Sequence, residues 1–211
     1  MLRMFTGLVQ RTGEIVQLQP GEGGGVRLTV RSRSFDLMPS PGDSICVSGC
    51  CLTLVGEARS TGELIEMDFD VIEESLAKTK LGSLGEGSRV NLETSCTPTT
   101  LLGGHVVQGH VEGVGEVVRV ESGESYEVTI KPPRGLMPCI APKGSITLDG
   151  ISLTIAGVDV SDGTFHVALI PTTLSETTIG DAKVGEGMNI ETDIMARTVV
   201  HYLQNYSSGG N

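Results

Sequence analysis

The stretch LDGISLTI at residues 148–155 is the most informative part of the chain, because its pattern occurs earlier as VSGCCLTL at residues 47–54. Side chains alternate between the two faces of a β-strand. The later stretch therefore places three aliphatic side chains on one face and Gly150, Ser152 and Thr154 on the other. The earlier stretch divides in the same way. The chain is a duplication, and each copy contains a strand with one apolar face.

The opposite face of each strand is small and polar, with Cys51 and Thr53 in the first copy and Ser152 and Thr154 in the second. Small hydroxyl or thiol side chains beside a glycine let a flat ligand approach the backbone closely. Threonine on the solvent face of a half-buried strand is also ordinary. The repetition favours a ligand site, although two copies of a purely structural strand would look alike.

The composition limits the classes of function. Of the 211 residues, 29 are glycine and 3% are aromatic, which suits tightly turned all-β structure better than a stacking surface for bases. The net charge of −11 would repel a phosphate backbone, so we expect no nucleic-acid partner. The N-terminal residues MLRMFT contain no apolar core of signal-peptide length, and no window reaches the about 18 apolar residues that a membrane span needs. The sequence predicts a soluble, cytoplasmic protein that does not bind membranes.

The five cysteines argue against a disulfide framework, because their number is odd and their spacing is irregular: Cys46, Cys50, Cys51, Cys96 and Cys139. We expect reduced thiols. Cysteine together with histidine can also indicate a metal site, but no Cys-x2-Cys pair or His-x3-His spacing occurs, so we expect no metal.

Matched motifs extend the duplication along the chain. Gly7 and Gly13 correspond to Gly109 and Gly115, and an alternating strand at 26–30 corresponds to one at 126–130. Return strands follow at 64–69 and 164–169, and each precedes a short helical turn. Many short strands separated by turns, repeated twice, indicate two small closed β-barrels in tandem. We place the first barrel at residues 1–97 and the second at 98–192.

The second copy ends in a segment without a counterpart in the first. Asp193 is a suitable N-cap, and Met195, Val199, Tyr202 and Tyr206 follow at helical spacing, which predicts a helix over 193–206. By itself this pattern favours a helix that packs on its own barrel. Residues 207–211 are expected to form a flexible tail.

Five motifs, in this order, closely resemble those of the riboflavin synthase α-chain family: MFTG at 4–7, GCCLT at 49–53, GGHVVQGH at 103–110, DGISLT at 149–154 and LIP at 169–171. The resemblance implies an all-β fold of two six-stranded Greek-key barrels, each binding one 6,7-dimethyl-8-ribityllumazine, and a C-terminal α-helix that assembles a homotrimer with sites between subunits. It also implies the last step of riboflavin biosynthesis. In that reaction two lumazines dismutate by transfer of a four-carbon unit, giving riboflavin and 5-amino-6-(D-ribitylamino)uracil without any cofactor.

The resemblance also implies substrate-binding positions. In the first barrel these are Thr6, Gly7, Leu8, Val9, Ser44, Cys51, Leu52, Thr53, Asp70, Val71, Ile72, Glu73, Glu74 and Ser75. In the second they are Gly109, His110, Val111, Lys143, Ser152, Leu153, Thr154, Ala168, Leu169, Ile170, Pro171, Thr172 and Thr173. The chain departs from the family at Ser48, where many members have asparagine, and over residues 94–102.

The residue types suit this chemistry independently. A self-reaction needs one molecule as donor and one as acceptor, and two related but unequal sites would provide both. Removing a proton from an acidic methyl group suits an imidazole, with a pKa of about 6.5, or a thiolate from a thiol with a pKa of about 8.5. The hydroxyl groups of Ser152 and Thr154 suit polarising the acceptor ring. Which barrel holds the donor, and which group takes the proton, stay open.

The copies differ where this chemistry requires it, because Cys51 corresponds to Ser152 and Leu8 to His110. The catalytic candidates are therefore Cys51, His110, Ser152 and Thr154, together with Ser44, which the resemblance adds. His105 is expected to be structural, as is a buried cysteine in general.

Two other functions compete with the enzyme. Antenna proteins with related tandem barrels hold a lumazine or flavin as a chromophore, but such a protein can lose the polar face of the second site, which this chain keeps. A flavin-reductase-type barrel would need a nicotinamide domain, for which the chain has no room.

Overall fold

The computed structural model describes residues 4–123 and 125–207, which form two β-barrels and a C-terminal helix. The first barrel contains β1 (Arg11–Pro20), β2 (Val26–Arg33), β3 (Ser44–Val47), β4 (Cys50–Thr61), β5 (Leu64–Val71) and β6 (Arg89–Thr94). The second contains β7 (Gly113–Ser122), β8 (Tyr126–Lys131), β9 (Ser145–Leu148), β10 (Ile151–Asp159), β11 (Thr164–Leu169) and β12 (Gly187–Thr192). The helices are α1 (Glu73–Lys78), α2 (Pro171–Glu176) and α3 (Ile194–Tyr206).

Both barrels are closed and share one antiparallel topology. The first has the order β1-β2-β5-β4-β3-β6, and the second repeats it as β7-β8-β11-β10-β9-β12. In each barrel three hairpin-connected strands are joined by a fourth that returns beside the first of them, which is the Greek-key arrangement. The fold predicted from the duplication is confirmed. The boundaries at 97/98 and 192/193 stay predictions.

A two-residue turn joins the paired strands in each signature stretch. Ser48 and Gly49 have φ values of 45° and 86°, and Asp149 and Gly150 have 49° and 78°, as a type I′ hairpin requires. The serine at position 48 therefore adopts the same turn as the aspartate of the second copy. The two turns face each other between the barrels. A Cβ atom on Gly150 would lie 2.8 Å from the backbone nitrogen of Gly49, so both positions need glycine.

The alternation of the signature strands separates core from surface as predicted. Each barrel has its own apolar core, which buries the apolar face of its signature strand: residues 50, 52 and 54 in the first barrel and residues 151, 153 and 155 in the second. Thr53 and Thr154 are exposed, and Cys51 and Ser152 are half-buried. Each barrel thus has its own core, and the polar face of each signature strand lies outside it.

Buried polar side chains join the barrels. The side-chain amide of Asn91 donates to the carbonyl oxygen of Asp149 at 3.0 Å, and that of Asn189 donates to the carbonyl oxygen of Ser48 at 2.7 Å. The ammonium of Lys80 pairs with the carboxylate of Asp149. Burial raises the pKa of Asp149, and the nearby Lys80 opposes that shift. The interface therefore holds a charge pair in which the carboxylate is almost fully removed from solvent.

Helix α3 does not pack its apolar stripe on its own barrel. The side chain of Asp193 caps the helix by accepting from the N–H of Met195 at 2.8 Å, as predicted. No residue of α3 is buried, and Met195, Val199, Tyr202 and Tyr206 are each 58–66% exposed. The interpretation that the helix covers its own barrel is therefore wrong in this chain. Of the expected tail, residues 208–211 lie outside the described part of the chain.

Candidate functional site

The segments that open the two copies cross over, each to the other barrel. They first pair with each other, because the N–H of Phe5 donates to the carbonyl oxygen of Val107 at 2.8 Å. The N–H of Ser152 on β10 then donates to the carbonyl oxygen of Gly7 at 2.8 Å. In the same way the N–H of Cys51 on β4 donates to the carbonyl oxygen of Gly109 at 2.9 Å. Residues 6–9 therefore lie beside the second barrel, and residues 108–111 beside the first.

This exchange corrects the predicted composition of the sites. Gly7 and Val9 do not complete the site of Cys51, because Gly7 accepts from the N–H of Ser152 and Val9 packs on the core of the second barrel. Leu8 lines a separate cavity that also contains Ser44. Val111 packs on the core of the first barrel. The backbone of each duplicated segment lies against the signature strand that the sequence assigned to its counterpart, although Thr6 and Leu8 also line a cavity with Ser44. Each site is consequently built from both halves of the chain.

Buried carboxylates hold the crossed segments. Glu93, at the end of β6, accepts from the N–H of Thr6 at 2.7 Å and from that of Gly7 at 2.9 Å. Glu191, at the same place on β12, accepts from the N–H of Gln108 at 2.8 Å and from that of His110 at 2.9 Å. Burial raises the pKa of both carboxyl groups, and these backbone donors oppose the shift. Sequence reasoning missed both residues, although their repetition in register was visible.

The first site is a cavity of about 290 Å³ beside Cys51. Its other walls include Leu52 on β4, Glu74 and Ser75 on α1, and the crossed segment from Gly109 to Val111. His110 is exposed there, so its imidazole is open to a ligand. The structure thus brings two of the predicted catalytic residues, Cys51 and His110, to one cavity.

The second site contains an imidazole that the sequence analysis treated as structural. His105 is 8% exposed, and its Nδ1 lies 2.8 Å from the Oγ of Ser152. Its Nε2 is the buried side-chain polar atom that lacks a hydrogen-bond partner within residues 4–123 and 125–207. Burial lowers the pKa of His105, so the ring is neutral at pH 7. The sequence signal that could have indicated a site at His105 is the preceding Gly103-Gly104 pair, which permits a close approach of the backbone.

Gly104 allows this contact. A Cβ atom there would lie 2.1 Å from the carbonyl oxygen of Thr6 and 2.9 Å from the Oγ of Ser152. The loop before His105 can therefore approach Ser152 only without a side chain at this position.

Ser44 lies apart from Cys51. Ser44 is 3% exposed and lines a different cavity of about 420 Å³, whose walls include Thr6, Leu8 and Leu37. On β3 it is the register partner of Thr53. Because side chains at matched positions on neighbouring strands share a face, Ser44 lies beside Thr53, two residues along the same face of β4 from Cys51, and it opens to a different cavity. The structure does not join all five catalytic candidates in one place.

The other predicted binding residues divide between surface and core. Val71, Leu153 and Leu169 belong to the barrel cores, so they shape the sites only from below. The carboxylate of Asp70 is paired with Arg27 on an exposed face. The remaining members, Ile72, Glu73, Ala168, Ile170, Pro171, Thr172 and Thr173, lie at or just before the starts of α1 and α2, and all but Thr173 are exposed. Lys143 lies in the exposed turn before β9, where its N–H donates to the carbonyl oxygen of Ile155.

The cysteines differ in their access to solvent. Burial raises the pKa of Cys46 well above its usual value and that of Cys50 to about 12, so both stay thiols at neutral pH. Cys51 is half-buried at the first site. In the described ranges no group of three or more His, Cys, Asp or Glu residues is placed to hold a metal ion. No helix of residues 4–123 or 125–207 is long and apolar enough to cross a membrane.

Comparison with known proteins adds to this geometry. The family model of the lumazine binding domain matches the chain twice, over residues 6–95 and 108–193. The chain is 41% identical over 203 residues to the riboflavin synthase of Mycobacterium tuberculosis, a match that covers 95% of this chain and 98% of that one. It is 35% identical over 203 residues to the riboflavin synthase of Bacillus subtilis, which covers 95% and 90%.

Solved structures with a similar fold contain the ligands of interest. The crystal structure of LumP complexed with 6,7-dimethyl-8-(1'-D-ribityl) lumazine matches with a TM-score of 0.72 and 26% identity, covering 89% of this chain and 98% of that chain. The complex of LumP with riboflavin matches with a TM-score of 0.73 and 29% identity, with the same coverage.

Proposed function

The chain belongs to the riboflavin synthase family built on two lumazine binding domains, and from this we propose that it converts two molecules of 6,7-dimethyl-8-ribityllumazine into riboflavin and 5-amino-6-(D-ribitylamino)uracil. The reaction transfers a four-carbon unit between two identical substrates. One substrate must act as donor and the other as acceptor. The enzyme therefore needs two sites that bind the same molecule and treat it differently.

The main support for the proposal is that the protein has two sites of one architecture with different reactive groups. In both, a buried glutamate holds a crossed glycine segment against the signature strand. The first site presents the thiol of Cys51 and the imidazole of His110. The second presents the hydroxyl of Ser152, backed by His105. Binding is thus alike in the two sites, while the proton chemistry differs.

We assign the removal of the methyl proton to the pair formed by Ser152 and His105. The lowered pKa of His105 keeps its ring neutral, and in the tautomer with Nδ1 unprotonated this nitrogen accepts from the Ser152 hydroxyl. As Oγ takes the methyl proton, its own hydroxyl proton passes to Nδ1, and the ring becomes an imidazolium. The buried Nε2 is out of reach of the substrate, so His105 acts through the hydroxyl. His110 and Cys51 would serve the other substrate as acid–base groups.

We further propose that the active protein is a homotrimer in which a first-barrel site faces a second-barrel site of a neighbouring subunit. The exposed stripe of α3 supports this assembly, because four large apolar side chains on one helix face are normally covered. The two bound substrates must come within van der Waals distance to exchange carbon atoms. A cytoplasmic location stays a prediction from the sequence.

The test is to incubate the purified protein with 6,7-dimethyl-8-ribityllumazine and no other reagent, and to follow riboflavin by its absorbance. We expect product from the wild type and at least about a hundredfold less from Ser152→Ala, the lower end of the loss typical of one acid–base group. Ser161→Ala, in an exposed loop of the same barrel, is the matched control and should keep full turnover. A folded wild-type protein that makes no riboflavin would refute the proposal.

The same purification distinguishes an antenna protein. A chromophore carrier should retain a fluorescent lumazine or flavin through purification and should not convert it. An enzyme must release its product, so we expect the protein to be colourless after dialysis.

A further inference from the structure

The segment 108–112 connects the first site to the last strand of the second barrel. On one side, the carbonyl oxygen of Gly109 accepts from Cys51, and His110 lines the cavity. On the other, Glu191 accepts from the N–H of Gln108 and His110, and the N–H of Glu112 donates to the carbonyl oxygen of Ile190 at 2.8 Å. Any shift of this segment therefore moves the imidazole of His110 relative to Cys51.

Arg197 joins the same segment to helix α3. Its Nη2 donates to the Oε1 of Gln108 at 2.7 Å, and its Nη1 lies 3.3 Å from the Oε1 of Glu112. The other oxygen of Glu112 accepts from the N–H and the hydroxyl of Thr192, both at 2.6 Å. These side chains of Arg197 and Glu112 are 27% and 15% exposed, so the contacts are partly shielded from solvent. One guanidinium thus holds both ends of the segment that carries His110.

The first copy lacks this contact although it keeps the rest. Gln10 corresponds to Glu112, and its Oε1 accepts from the N–H and the hydroxyl of Thr94 at 3.1 and 3.0 Å. The alignment that places Glu93 opposite Glu191 places Thr99 opposite Arg197. The chain continues there into the second barrel instead of a helix. The guanidinium clamp is therefore specific to the segment that presents His110.

We propose that Arg197 is a positioning residue for the reaction: by holding Gln108 and Glu112 it sets the imidazole of His110 beside Cys51 and couples this site to helix α3. The proposal rests on the proposed function, because it gives His110 a part in turnover. A bidentate guanidinium fixes geometry better than a point charge does. Because α3 has no buried residue, Arg197 is also a main link between the helix and a site.

The experiment compares full-length Arg197→Met, Arg197→Lys and the control Arg119→Met, whose guanidinium pairs with Glu121 on an exposed face of the second barrel. Hydrogen exchange is measured at the amides of Gln108 and His110. We expect Arg197→Met to speed exchange at these amides about tenfold and to lower kcat about tenfold, since small misplacements of a reacting group cost this much or more. Arg197→Lys should recover part of both losses, and Arg119→Met should change neither.

The crossed segment of the first copy is an internal reference. Exchange at Thr6 and Gly7, which Glu93 holds without an arginine, should be unchanged in Arg197→Met. In a His110→Gln background the further loss of kcat from Arg197→Met should be less than about twofold, because two residues that act through one group are not additive.

Three results would overturn the proposal. The first is a wild-type exchange rate at Gln108 and His110 in Arg197→Met. The second is a full tenfold further loss of kcat from Arg197→Met in the His110→Gln background. The third is a change in subunit association, measured by sedimentation of each variant, that by itself accounts for the loss of kcat. The exchange measurement does not depend on turnover. If the proposed function failed, no variant would make riboflavin, while exchange would still report whether Arg197 holds the segment.

Discussion

Replacing Gly109 by alanine should destabilise the protein and impair the first site. Gly109 has φ = 75°, a conformation that costs an alanine roughly 1–2 kcal/mol. An added Cβ would lie 2.7 Å from the Cβ and 2.9 Å from the backbone nitrogen of Cys51, closer than real Cβ atoms approach. Overpacking of this kind costs about 1–3 kcal/mol. We expect a total loss of about 2–5 kcal/mol in the free energy of unfolding, from the sum of these two effects.

The assay is urea unfolding followed by circular dichroism, with turnover measured at a temperature where the variant stays folded. Any relief of the contact must move the crossed segment away from β4, so turnover should fall at least about tenfold even in folded protein. Gly135→Ala is the control, because Gly135 has ordinary φ and nothing within 4 Å of an added Cβ. A Gly109→Ala protein within about 0.5 kcal/mol of wild type and fully active would refute the close approach.

Three further predictions concern the interface, His105 and the helix. Lys80→Met leaves the carboxylate of Asp149 buried without its cation and should cost about 3–5 kcal/mol in urea unfolding, whereas Lys78→Met, on an exposed pair, should cost less than about 1 kcal/mol. Burial lowers the pKa of His105, so below about pH 6.5 the unfolded chain takes up a proton that the folded protein does not. The free energy of unfolding therefore decreases as the pH is lowered. His105→Gln should lack this pH dependence between about pH 7.5 and about pH 5.5. Plots of the free energy of unfolding against pH that run parallel for the variant and the wild type would contradict the prediction. Truncation before Asp193 should leave folded barrels that bind lumazine, sediment as monomers and make little riboflavin; a fully active monomer would show that the two substrates meet within one chain.

The architecture followed from local patterns. Alternation with a period of two, glycine turns and the repetition of both placed the signature strands, their return strands and the two barrels correctly. The same alternation put Cys51 and Ser152 on the polar face, where the structure has them. These features depend on neighbours a few residues apart, so a single sequence contains the information.

The roles of the two histidines required long-range geometry. In the sequence, His110 looks like the reactive member of the GGHVVQGH motif and His105 like a structural one. The structure puts His105 on the Oγ of Ser152 because Gly104 lets the loop approach that strand. Ser152 lies 47 positions from His105 in the sequence, so spacing along the chain could not indicate the pairing.

Local sequence pattern is enough to predict the duplication, the barrels, the polar face of each signature strand and the start of helix α3 at its cap, Asp193. Which opening segment completes which site depends on how the two barrels pack. The two copies are similar enough that residues 6–9 or 108–111 would suit either groove by pattern alone. The Phe5–Val107 pairing between the barrels brings each segment to the signature strand of the other barrel, while a glutamate of its own barrel, Glu93 or Glu191, accepts from its N–H groups. Because the competing arrangements differ only in contacts between residues far apart in the chain, periodicity and turn chemistry cannot distinguish them.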